Sequence, residues 1–116
     1  MVKLYGIPNC STVKKAREWL LQNGVEYEFV DFKKTAPDAA LIGGWIAQAG
    51  LEVLVNKRGT TWRKLDEAAQ AAAADAEQAA VMMSAHSSVI KRPVLDVGGK
   101  IYVGFSPEFY QEVFAS

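Results

Sequence analysis

The sequence predicts an α/β fold with a four-stranded mixed sheet, and three observations predict it. Two short apolar runs bracket a helical period within the first thirty residues. The middle of the chain is alanine-rich and carries no strand period. Two more apolar runs then close around Gly98-Gly99-Lys100 ahead of a final helix. The predicted order is β-α-β, a helical middle, then β-β-α, in a single domain over residues 1–116 with an enlarged helical insert at about 36–88.

Each element has its own signal. Val2 to Ile7 reads as a short buried strand ended by Pro8-Asn9. From about Ser11 to Asn23 the helical period puts Val13, Ala16 and Leu20 on one face, and Gly24 follows as the stop. Val25-Glu26-Tyr27-Glu28-Phe29 alternates apolar with polar, the period of a half-exposed strand, so the first thirty residues read as a right-handed βαβ unit. From about Pro37 to Ala49 the i,i+4 pairs Leu41/Trp45 and Ile42/Ile46 predict a helix stopped by Gly50, against the opposing signal of Gly43-Gly44.

Alanine is the best helix former, so the tract from Leu65 to Ala85 is read as short helices capped at Asp66 and Asp75. Val94 to Val97 and Ile101 to Val103 flank the glycine turn as a hairpin, and Ser106-Pro107-Glu108 caps a helix running to about Phe114. Trp45 and Trp62 are read as packing residues.

Composition narrows the function classes. Half of the residues are hydrophobic and 22% charged, as in an ordinary globular domain. Thirteen basic and thirteen acidic residues cancel, so no global field draws the chain to nucleic acid or an anionic membrane, and neither is expected as a direct partner. The N-terminus lacks the apolar stretch of a signal peptide, which makes a cytoplasmic location the expectation. One cysteine forms no internal disulfide, and one cysteine with one histidine offers no zinc-ligand spacing.

That cysteine, Cys10, follows the first strand and opens the first helix. A sulfur there faces unpaired backbone N–H groups and the positive end of the helix dipole, which favour the thiolate. The alternative is a small buried hydrophobe, but the strand-turn-helix context favours a reactive thiol. Ser11 and Thr12 are candidate hydrogen-bond donors to the sulfur and the anion site, against a plain capping role. Lys14, Lys15 and Arg17 read as a solvated helix face, and nothing in the Ala85-His86-Ser87-Ser88 turn makes His86 a base.

Three motifs in register carry a resemblance: Tyr5-Gly6-Ile7-Pro8-Asn9-Cys10-Ser11-Thr12, Asn56-Lys57-Arg58-Gly59-Thr60-Thr61-Trp62-Arg63-Lys64-Leu65, and Ile90-Lys91-Arg92-Pro93-Val94-Leu95. With them the chain resembles the arsenate-reductase-like family of thioredoxin-fold proteins, which also contains the Spx-type regulators, and it looks closest to the YffB-type branch. The resemblance implies a thioredoxin-like fold, Cys10 as the nucleophile, Arg58 and Arg92 as thiolate-stabilising and anion-binding residues, and a cis-proline at Pro93. Guanidinium groups suit such a role because they stay charged and bind oxyanions through paired hydrogen bonds.

The chain departs from the family twice. Gly104-Phe105-Ser106-Pro107 has phenylalanine where arsenate reductases place a third arginine, and Phe105 cannot pair with an oxyanion. Val13 stands where thioredoxins and many Spx proteins have a second cysteine, which excludes an intramolecular dithiol switch. The resemblance thus implies a thiol oxidoreductase acting on a small oxyanion or disulfide. Glutathione would be its co-substrate, glutaredoxin a further thiol partner, and no tightly bound cofactor or metal is expected. The alternative is an Spx-like regulator that binds RNA polymerase without catalysis.

Overall fold

The computed structural model describes residues 1–115. The first elements are β1 (Val2–Gly6), α1 (Ser11–Gln22), β2 (Glu28–Asp31), α2 (Ala39–Ala49), α3 (Leu51–Leu54) and α4 (Thr60–Lys64). They are followed by α5 (Glu67–Ala72), α6 (Ala76–Ala85), β3 (Val94–Val97), β4 (Lys100–Val103) and α7 (Pro107–Val113). These form two compact units, one made of Met1–Asp31 and the chain from Arg92 onward, the other of Phe32–Lys91.

In the first unit the four strands form one mixed sheet in the order β2-β1-β3-β4, with β1 parallel to β2 and antiparallel to β3. The sheet is the predicted one. Leu4 of β1 lies opposite Leu95 of β3, and both are wholly buried with Ala16 and Leu20 of α1 and Tyr110 of α7. Val13, Ala16 and Leu20 form the buried face of α1, as their spacing requires. Phe109 and Phe114 join Trp19 and Tyr102 around this core, with Trp19 edge-on to Tyr110 at 5.6 Å between ring centroids.

β2 starts at Glu28, three residues after the expected Val25, for a structural reason. The Val25 N–H donates to the Leu20 carbonyl at 2.9 Å and, with Gly24 at φ 68°, closes the end of α1, while the ladder to β1 begins with Lys3 opposite Glu28. Val25, Tyr27 and Phe29 all pack on the core, so the alternation reported burial from Val25 onward, whereas strand pairing starts only at Glu28. Lys100, expected in the turn, pairs with Val97 as the first residue of β4. Gly98 and Gly99, with φ of 58° and 98°, make a two-residue loop, and Asp96 accepts the Gly99 N–H at 2.8 Å. The Ser106 hydroxyl caps α7 by accepting the Phe109 N–H at 3.0 Å, with Pro107 at its first position.

One close approach fixes how β1 meets α1. A Cβ on Gly6 would stand 2.8 Å from Cγ2 of the wholly buried Val13. Gly6→Ala is therefore expected to overpack this contact and cost about 1–3 kcal/mol, read as a lower urea midpoint at unchanged slope. An unchanged midpoint would mean that strand and helix can part without cost.

In the second unit the Asp38 carboxylate caps α2 by accepting the Leu41 N–H at 2.8 Å. Gly43 and Gly44 lie inside this helix without breaking it, because Ile42, Trp45 and Ile46 are buried. Asp66 and Asp75 cap α5 and α6 as their sequence positions indicated, accepting from the N–H groups of Ala69 and Gln78. α6 packs on α2 and buries Ala79, Ala80, Met82 and Met83. The short helices α3 and α4 escape sequence reading because four or five residues carry too little of a 3.6-residue period. Among the described residues no helix is long and apolar enough to cross a membrane.

Candidate functional site

Cys10 is the N-cap residue of α1, with extended backbone (φ −99°, ψ 126°) and a carbonyl that accepts the first helical bond from the Lys14 N–H at 2.9 Å. The exposed Pro8 and Asn9 turn the chain between β1 and this cap, and the thiol itself is half-buried. Cys10 makes no regular side-chain cap bond, but the backbone N–H groups of the first turn still act on its sulfur, with the helix dipole behind them.

The thiol sits below its ordinary 9.0. Partial burial pushes it upward, but the Val13 N–H, the Arg92 guanidinium and the Thr12 N–H, together with the Arg92 charge, outweigh that push. Helix terminus and arginine act on the same atom. Arg92 is half-buried and stands two residues before β3, and its peptide bond to Pro93 is cis. The Pro93 carbonyl accepts the Gly104 N–H at 2.9 Å, which ties this segment to the end of β4.

Of the site residues singled out from sequence, Cys10, Ser11, Thr12, Arg92 and Pro93 belong to the first unit. Thr12 acts on the sulfur through its backbone N–H, and Ser11, whose side chain is exposed, is not among the groups that shift the thiol. The Val13 N–H is a contributor that side-chain reasoning does not name; only the general geometry of a helix start points to it.

Arg58 is exposed in the second unit. Its N–H donates to Asn56 Oδ1 at 3.1 Å, and its carbonyl accepts from Arg63 Nη2 at 2.9 Å. His86 is exposed at the end of α6. Phe105 is half-buried and meets Tyr110 edge-on at 4.7 Å between centroids, so it serves the aromatic core of the first unit. Among the described residues no three His, Cys, Asp or Glu side chains gather as metal ligands.

Such an arrangement can hold a thiolate beside one fixed cation, the minimum for nucleophilic attack on an electron-poor sulfur or on an oxyanion centre. Comparison with known proteins gives the family of the chain. The model of the ArsC family matches residues 5–113. An uncharacterized protein of Haemophilus influenzae is 39% identical over 99% of this chain and 100% of its own. Among solved structures, a YFFB protein is 45% identical with a TM-score of 0.90, covering 97% of each chain. An arsenate reductase (ArsC) related protein from Brucella melitensis is 43% identical with a TM-score of 0.71, covering 99% of this chain and 95% of its own.

Proposed function

The chain belongs to the ArsC family of arsenate-reductase-like proteins, and from that premise we propose that it is a thiol oxidoreductase whose single nucleophile, Cys10, is resolved by glutathione. The observation that carries this reading is the Cys10 thiol, held below its ordinary value at a helix start with the Arg92 guanidinium bonded to it.

On a disulfide substrate the Cys10 thiolate attacks one sulfur, a mixed disulfide forms, and the other sulfur leaves as thiolate. Glutathione thiolate then attacks the mixed disulfide, carries the bound group away as a new disulfide and returns Cys10 to the thiolate. On an oxyanion the sulfur bonds to the central atom as a protonated oxygen departs as water; two external thiols then give up two electrons to that atom and leave joined as a disulfide, and water displaces the reduced oxyanion from Cys10, which returns to the thiolate. Neither route needs a second cysteine, and the chain has none. Glutaredoxin is the natural protein source of further thiol.

Arg92 stabilises the thiolate; Ser11 and Thr12 at the start of α1 are assigned to anion binding by the family resemblance, and so, separately, is Arg58 of the second unit. An arginine also binds a glutathione carboxylate, so the same residues serve the co-substrate. Pro93 is structural, shaping the segment that presents Arg92. The test is glutathione-linked turnover of the purified protein on a small disulfide and on arsenate, together with Cys10 alkylation by iodoacetamide across pH. A thiol that stays reactive well below pH 9.0 and turns over with glutathione supports the reading. A slow thiol with ordinary pH dependence and no turnover overturns it.

Phe105 bears on the choice between oxyanion and disulfide. Phe105→Arg is expected to raise kcat/KM for arsenate about tenfold by adding one charge-assisted contact, while losing the ring contact with Tyr110 and some stability. No gain in arsenate reduction, in a variant that still folds, would mean that the site is not organised around arsenate.

A further inference from the structure

The loop that carries Arg58 is braced from both sides of that residue. Asn56 accepts the Arg58 N–H at 3.1 Å, and the Arg63 guanidinium reaches back from α4 to the Arg58 carbonyl at 2.9 Å. A second tie runs parallel to it, with the Lys57 ammonium 5.5 Å from the centroid of the Trp62 ring, also on α4. Gly59 lies close to the same brace: a Cβ there would stand 3.0 Å from the Asn56 amide nitrogen, a tight contact that the Asn56 side chain would have to relieve by a shift of a few tenths of an ångström. The peptide on each side of Arg58 is therefore held, although the residue itself is exposed.

We propose that Arg63, with Asn56, is a positioning residue for Arg58, holding its backbone so that the guanidinium is presented to an oxyanion in advance of binding. The inference rests on the anion-binding reading of Arg58 given above. Gripping a ligand orders both the side chain and the loop that carries it, and a backbone already fixed by two hydrogen bonds removes the loop's share of that cost. Arg63, although exposed, spends one of its five donors on the Arg58 carbonyl.

The experiment is an NMR titration of the full chain with inorganic phosphate, followed on the backbone amide signals of residues 56–60. Arg63→Gln is expected to weaken phosphate binding three- to ten-fold, and Asn56→Ala to act in the same direction. Lys64→Gln, which removes a charge from the same helix, should change it less than twofold. Arg63→Lys, which keeps charge and one donor, should recover part of the loss.

The deciding variant is the double Arg58→Ala/Arg63→Gln, expected to bind phosphate as Arg58→Ala alone does, since Arg63 acts only through Arg58. Additive losses would make Arg63 a ligand in its own right and overturn the proposal. So would unchanged binding in Arg63→Gln, even if the variant melted at a lower temperature, because a purely structural bond would then explain it. If Arg58→Ala itself leaves phosphate binding unchanged, the reading of Arg58 falls and the positioning role with it. A loss in Arg58→Ala with none in Arg63→Gln sinks the positioning role alone.

Discussion

Cys10→Ser is expected to abolish glutathione-linked turnover, by roughly a thousandfold or more, and to leave the protein at least as stable as before. The two halves of this result have separate causes. Serine oxygen is a poor nucleophile at neutral pH and cannot form the mixed disulfide, so no intermediate exists for glutathione to resolve. Yet Cys10 occupies the N-cap of α1 without making a side-chain cap bond, and serine is among the preferred residues at that position. The substitution should therefore gain about 0.5–1 kcal/mol of helix stability where the wild type keeps a weaker cap and a reactive sulfur. Turnover assays and urea unfolding of the same sample check both halves. Turnover that survives in Cys10→Ser would remove Cys10 as the nucleophile. A protein whose role was to bind RNA polymerase would keep that binding in the variant.

The second large effect is expected at Arg92, where Arg92→Met keeps much of the aliphatic bulk and removes the charge. The guanidinium lowers the thiol both by hydrogen bond and by charge, so its loss leaves partial burial opposed only by the N–H groups of Val13 and Thr12. The thiol should rise, and alkylation by iodoacetamide near pH 7 should slow about tenfold. The same change at an exposed lysine such as Lys33 should alter the rate less than twofold. Equal effects at the two positions would argue against an arginine-held thiolate.

Stability should carry the same signature. The folded thiol lies below 9.0, its ordinary value in the unfolded chain, so folding releases a proton between the two values. The resulting stabilisation is fully present above pH 9.0 and is lost as pH falls through the lowered folded value. The wild-type urea midpoint should therefore climb across that window relative to Cys10→Ser, and the climb should flatten in Arg92→Met. A wild-type curve parallel to that of Cys10→Ser would show that the folded thiol is not lowered.

How far the sequence can be read depends on the range of the interaction involved. The caps at Asp38, Asp66, Asp75 and Ser106 act within three residues, so each was visible or nearly so; Asp38 shifted the expected start of α2 only from about 37 to 39. The Gly98-Gly99 loop needs φ above zero at two positions, which glycine announces. The start of β2 was misplaced because whether Val25 pairs or closes α1 depends on where its N–H finds a partner, and alternation of side chains is silent on that. α3 and α4 were too short for any period to emerge, and with α4 went the clue to Arg63.

The sequence by itself determined the order of the strands and the longer helices, the helix-opening place of the lone cysteine and, through three motifs, the family. Those are properties of local spacing and residue type. The resemblance itself names Arg92 as a thiolate-stabilising residue, and in the fold its guanidinium lowers the Cys10 thiol from more than eighty residues away; only the tertiary structure decided that Val13 closes against Gly6 and that Phe105 packs against Tyr110. Hydrogen bonds and packing join atoms by their distance in space, and the fold brings remote segments to that distance only after the hydrophobic core has set the sheet and its helices in register.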